Sequence, residues 1–89
     1  MAEKTTGYYR EFIIPPGETL KEILDDRGMT QKDLAARTGF SEKQISQIIK
    51  DGKAITHKFA KRLEYALSID ASFWDNLESL YRQKMIAYE

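Results

Sequence analysis

Residues 30–52, TQKDLAARTGFSEKQISQIIKDG, carry two helix-start signals with one glycine-marked turn between them. Thr30 is placed to cap a first short helix. Asp33 stands at the third position of that helix, where an acidic side chain returns a hydrogen bond to the cap. Met29 and Leu34 flank the start as a hydrophobic staple. Gly39 follows where the chain must take a positive φ to turn sharply. Ser41 and Gln44 repeat the capping pattern, Phe40 and Ile45 repeat the staple, and Asp51-Gly52 closes the second helix. Two short helices packed back to back around a glycine turn are therefore expected.

The apolar spacing gives this pair a direction. Ala35 is small, as a close crossing requires. On a helical wheel from Ser41, Ile45, Ile48 and Ile49 share one side, while Lys43, Gln47 and Lys50 occupy the other. A helix with a branched apolar back and a basic, amide-bearing front is shaped for the major groove of DNA. The plainer reading is a surface αα-hairpin with a solvated front. Ala35, Gly39, Ile45 and Ile48, at separations of four, six and three, favour a helix-turn-helix over residues 30–52 instead.

Charge is distributed to match. The chain carries no net charge over its 89 residues. Residues 27–62, however, hold nine bases against three acids, a net +6, and the flanking segments are each −3. A local positive field is what phosphate binding needs, whatever the total.

Eighty-nine residues make one small domain, and the 42% hydrophobic content suffices for a single core. The absence of cysteine excludes disulfides and thiolate metal sites and is compatible with a cytoplasmic location. The start, MAEKTTGYYREF, has no apolar region of the secretory type, and no run approaches membrane-spanning length.

The remaining segments read as three more helices, giving an all-α, five-helix architecture. Residues 1–15 form an amino-terminal arm, in which YYREFII at 8–14 is rich in strand formers and is expected to pack on the core. Residues 16–89 form the domain. Pro15-Pro16-Gly17 opens the first helix, with Leu20, Ile23 and Leu24 as its buried stripe and Gly28 as its stop. The two helices of the motif cover about 31–38 and 42–50. Lys53, Ala54 and Ile55 form a loop to Thr56, the cap of the fourth helix, whose core face is Phe59, Ala60, Leu63, Ala66 and Leu67. Asp70 caps the fifth, long helix, with an Ile69–Trp74 staple. Its stripe runs through Phe73, Trp74, Leu77, Leu80, Tyr81, Met85 and Tyr88, more than a four-helix core can cover. Its second half is expected to be a partner surface.

With these residues in view, the chain resembles the XRE-type (Cro and phage-repressor-like) helix-turn-helix proteins and, within them, the HigA-type antitoxins of plasmid-maintenance systems. PGETLKEIL at 16–24, MTQKDLAARTG at 29–39, SEKQISQII at 41–49, GKAIT at 52–56 and ASFWDNLESLY at 71–81 carry the resemblance. Pro15 stands where many members have histidine. The resemblance implies a homodimer that binds a palindromic operator in double-stranded DNA and represses its own operon, with a cognate toxin as a further partner and no cofactor. By position it implies that Gln31 touches a phosphate and braces the recognition helix. It further implies that Glu42, Lys43 and Gln47 face base edges, with Ser41, Gln44, Ser46, Lys50 and Lys53 at the DNA interface around them. The leftover apolar surface, on the second half of the fifth helix with help from the Tyr8-Tyr9-Phe12 arm, is expected to make a dimer contact that includes Tyr81, Met85 and Tyr88.

A second resemblance stands beside the first. Similar YREFIIPPGETL and SFWDNLESLYR stretches open longer regulators that continue into an ImmA/IrrE-type metallopeptidase. The chain would then be the amino-terminal DNA-binding or protein-interaction domain of such a regulator. An enzyme within these 89 residues is not expected. The single histidine, His57, stands at a helix start beside Lys58, suited to a phosphate contact or to solvent. No cysteine nucleophile, glycine-rich phosphate loop or ligand cluster accompanies it.

Overall fold

The computed structural model describes residues 13–88, and the side chain of Tyr88 lies outside the described set. The five helices are α1 (Pro16–Arg27), α2 (Gln31–Thr38), α3 (Glu42–Asp51), α4 (His57–Leu67) and α5 (Ala71–Tyr88), with no strand among the described residues. The expected packing of Tyr8, Tyr9 and Phe12 falls outside them. Ile13, at the end of that arm, is buried, and Ile14 is exposed.

Local chemistry sets each helix end. Pro16 occupies the first position of α1, and Gly28 closes it in the left-handed region (φ 66°). There the Met29 amide donates to the Leu24 carbonyl at 2.9 Å. Both expected capping boxes form. Thr30 Oγ1 accepts from the Asp33 amide while the Asp33 carboxylate accepts from the Thr30 amide. Ser41 and Gln44 make the same reciprocal pair. The backbone hydrogen bond from Thr30, with its side-chain bond next, holds the Asp33 carboxyl below the usual carboxylate range. Gly39 turns the chain with φ 81°. Thr56 caps α4, and the Asp70 carboxylate accepts from the Ser72 amide at the start of α5.

The core joins all five helices. Leu20 and Leu24 of α1, Leu34 of α2, Ile45 and Ile48 of α3, Phe59 and Leu63 of α4 and Trp74 of α5 are almost wholly buried. Ile55, expected in a loop, is buried with them at 3% exposure. Thr38 is also buried, and its hydroxyl donates back to the Leu34 carbonyl at 2.8 Å. Ala35 is half-buried against this core.

A close approach to α3 is made by Gly17 of α1. A Cβ there would lie 2.0 Å from the Ile48 carbonyl oxygen. Only a residue without a side chain lets the two backbones meet in this way.

Two arginines brace helix ends across the fold. Arg27 donates to the Leu67 carbonyl at the end of α4 (2.7 Å), and Arg62 donates to the Thr38 carbonyl at the end of α2 (2.8 Å). Each satisfies a carbonyl that a helix leaves open, at the terminus that favours a cation. Part of the +6 of residues 27–62 is thereby committed within the fold. Arg27 and Arg62 serve the fold, and Lys61 pairs with Glu64 at 3.4 Å.

Candidate nucleic-acid interface

The front of α3 is laid out as its sequence anticipates. Ile45 and Ile48 are buried at 0% and 4% exposure and anchor the helix by its back. Glu42, Lys43, Gln44 and Lys50 are exposed, and Ser46 and Gln47 are half-buried between them. Lys43, Ser46, Gln47 and Lys50 share one face at i, i+3, i+4 and i+7, so amide, hydroxyl and ammonium groups project together.

The rest of the expected site surrounds this face. Ser41 is exposed, but its hydroxyl is taken up by the capping box, accepting from the Gln44 amide and lying 3.2 Å from Gln44 Oε1. Gln44 Oε1 accepts from the Ser41 amide, which leaves its side-chain NH2 outside the capping box. Gln31, half-buried at the start of α2, lines a shallow groove with Ile49 of α3, where a brace to the recognition helix is expected. Lys53 is exposed just beyond α3, and its amide donates to the Gln47 carbonyl at 3.2 Å.

Behind Gln44, Gln47 and Lys53 lies a cleft of about 100 Å³, closed by Phe40, Ile48, Ala54, Thr56 and Phe59. Phe40 packs edge to face on Phe59, with centroids 4.7 Å apart. That stacking fixes the turn of the motif to the start of α4. His57 is exposed, and its Nδ1 lies 2.9 Å from an Asp75 carboxylate oxygen, a partner its sequence position did not reveal.

The expected dimer residues divide. Tyr81 is half-buried, and its hydroxyl oxygen stands 4.0 Å from a Cβ built on Gly52, so it packs over the turn that ends α3. Its ring lies under the Arg82 guanidinium, 4.8 Å from the centroid. Met85 is half-buried, and the Tyr88 side chain lies outside the described residues. Besides Ile86 at 73%, the more open apolar groups on α5 are Phe73 at 40% and Leu80 at 51% exposure. With half-buried Leu77 they form an i, i+4, i+7 stripe.

A helix-turn-helix family profile matches residues 20–74, which span α1 to the start of α5. The chain belongs to the helix-turn-helix family. It is similar to virulence-associated protein I of Dichelobacter nodosus, with 34% identity over 73 residues covering 81% of this chain and 68% of that protein. Among solved structures it is similar to a Nostoc punctiforme protein assigned as an antidote of a plasmid maintenance system. The TM-score is 0.74 and the identity 33%, over 79% of this chain and 77% of the other. It is also similar to a HigA-family addiction module antidote protein from Coxiella burnetii, with a TM-score of 0.73 and 30% identity over 81% and 79% of the two chains. The five-helix, all-α fold is the one these antidote proteins share. Among the described residues no helix is long and apolar enough to cross a membrane.

Proposed function

We propose that this helix-turn-helix protein is a sequence-specific, DNA-binding repressor of the HigA antidote type, acting in the cytoplasm on the operon that encodes it. The observation that carries the reading is the front of α3. Lys43, Gln47 and Lys50 are presented together on a helix whose back is sealed by Ile45 and Ile48, with Lys53 extending the cationic edge. Gln47 offers a bidentate partner for adenine, Lys43 donates to guanine O6/N7, and Glu42 accepts from cytosine N4. Gln31, Gln44, Ser46, Lys50 and Lys53 supply contacts around these to phosphate and sugar, while Ser41 holds the cap of α3.

One recognition helix reads only a few base pairs. A two-fold dimer places two of them one helical turn of DNA apart and matches a palindromic operator. The stripe of Phe73, Leu77 and Leu80, with Met85 toward the end of α5, supplies apolar surface for that dimer. Tyr81, half-buried beside Gly52, adjoins this surface. Similarity to a plasmid-maintenance antidote and to a HigA-family antidote supports a cognate toxin as second partner. The alternative of a domain fused to a metallopeptidase gains no support from these relatives.

Selection of duplexes by the wild-type chain from a randomised pool tests this reading. A palindromic consensus that also occurs upstream of the chain's own gene is expected. Enrichment of no sequence would overturn it. Co-expression with the adjacent reading frame tests the toxin: rescue of growth is expected, and undiminished toxicity would remove the antidote role.

A further inference from the structure

The segment after the recognition helix, residues 52–57, is held from behind by α5. The Glu78 carboxylate accepts from the Ile55 backbone amide at 3.0 Å. Its other oxygen pairs with Arg82, and the Glu78 side chain is only 15% exposed. Three residues earlier Asp75 meets His57, and three residues later Tyr81 covers Gly52. Asp75, Glu78 and Tyr81 thus lie on one side of α5 and reach the segment at its end, middle and beginning.

Lys53 stands inside this clamp. Its amide is tied forward to the Gln47 carbonyl of the recognition helix, while Ile55, two residues on, is tied back to Glu78. Ile55 is 3% exposed, so its amide needs an internal acceptor. A carboxylate this near a polyanion-binding face would oppose binding if it were free. Here Arg82 balances its charge and the Ile55 amide uses its lone pairs.

We propose that Glu78 is a positioning residue for the nucleic-acid interface: by holding the Ile55 amide it fixes the loop that presents Lys53 to a DNA phosphate in register with α3. The proposal rests on the DNA-binding reading above. Through Glu78, α5 sets the geometry of the DNA-facing loop as well as offering its other side to a partner.

The test uses the full chain and a duplex that the wild-type protein enriches from a randomised pool. The variants are Glu78→Gln, Glu78→Leu, Lys53→Ala and the Glu78→Leu/Lys53→Ala pair. Glu78→Gln keeps an acceptor oxygen and is expected to bind within about twofold of wild type. Glu78→Leu is expected to bind about tenfold more weakly and to flatten the salt dependence by about one per half-site, as Lys53→Ala does. The double variant is expected to bind no worse than Lys53→Ala, because both changes remove the same contact. Wild-type affinity and slope in Glu78→Leu, or losses that add in full, would overturn the role of Glu78 alone. A pool that enriches no duplex would overturn the DNA-binding reading and this proposal with it. Amide exchange at Ile55 in the wild-type chain is independent of how any variant folds. Protection is expected there, and exchange at the rate of a solvent-exposed amide would overturn the proposal.

Discussion

Gly17 meets the main chain of Ile48 so closely that a methyl group on its Cα would stand 2.0 Å from the Ile48 carbonyl oxygen and 3.1 Å from the Ile49 Cα. The obstacle is backbone, which cannot rotate out of the way as a side-chain tip can. The first turn of α1 therefore sets the height of α3 above the core, and α3 carries the groups proposed to face DNA.

Gly17→Ala is expected to destabilise the fold by roughly 1–3 kcal/mol, because α1 and α3 must separate to admit the methyl. Urea unfolding measures the loss. DNA affinity should fall as well, in conditions where the variant remains folded, since α3 is displaced with its recognition face. A variant as stable as wild type would mean that the two helices are not in backbone contact.

Arg62 tests the assignment of charge. If its guanidinium caps the Thr38 carbonyl, Arg62→Met should cost about 1–2 kcal/mol of stability and leave the salt dependence of DNA binding unchanged. A slope lowered by about one, with stability intact, would place Arg62 on a phosphate instead.

Asp33 makes α2 acid-sensitive. Its native carboxyl is held below the ordinary range by hydrogen bonds from Thr30 that the unfolded chain lacks. The ionised form therefore stabilises the folded state fully above the unfolded pKa of about 3.9, and this contribution is lost as pH falls through the lowered native value. Asp33→Asn should remove that part of the acid dependence. Unfolding curves of the two proteins are expected to differ more at neutral pH than under strongly acidic conditions. A constant difference at every pH would mean that the Asp33 charge takes no part in the cap.

The elements, and the division of α3 into a buried apolar back and a polar front, were legible in sequence because their signals are local. Thr30 with Asp33, Ser41 with Gln44, and the glycines at 28, 39 and 52 act within one or two turns of chain. Ile45 and Ile48 against Lys43 and Gln47 need only the helical period. What escaped depends on partners brought together by packing. Arg27 and the Leu67 carbonyl are 40 residues apart, Arg62 and Thr38 are 24, and Glu78 and Ile55 are 23. Nothing near Arg62 distinguishes it from Lys58 or Lys61 as a phosphate ligand. Ser68, which closes α4 at φ 61°, occupies a left-handed position where glycine or asparagine is the usual cue. Tyr81 was read as free surface because its apolar ring continues the stripe of Trp74, whereas its hydroxyl carries it back over Gly52.

The central claim, that α3 reads bases through Gln47 and Lys43, is tested most directly by one binding series. Wild type, Gln47→Ala and Lys43→Ala are titrated at fixed salt with the selected duplex and with a scrambled duplex of equal length. Each substitution is expected to cost about 1–3 kcal/mol on the selected duplex and little on the scrambled one, with melting temperatures unchanged. Equal losses on both duplexes, or none on either, would contradict the assignment of α3 as the base-reading helix.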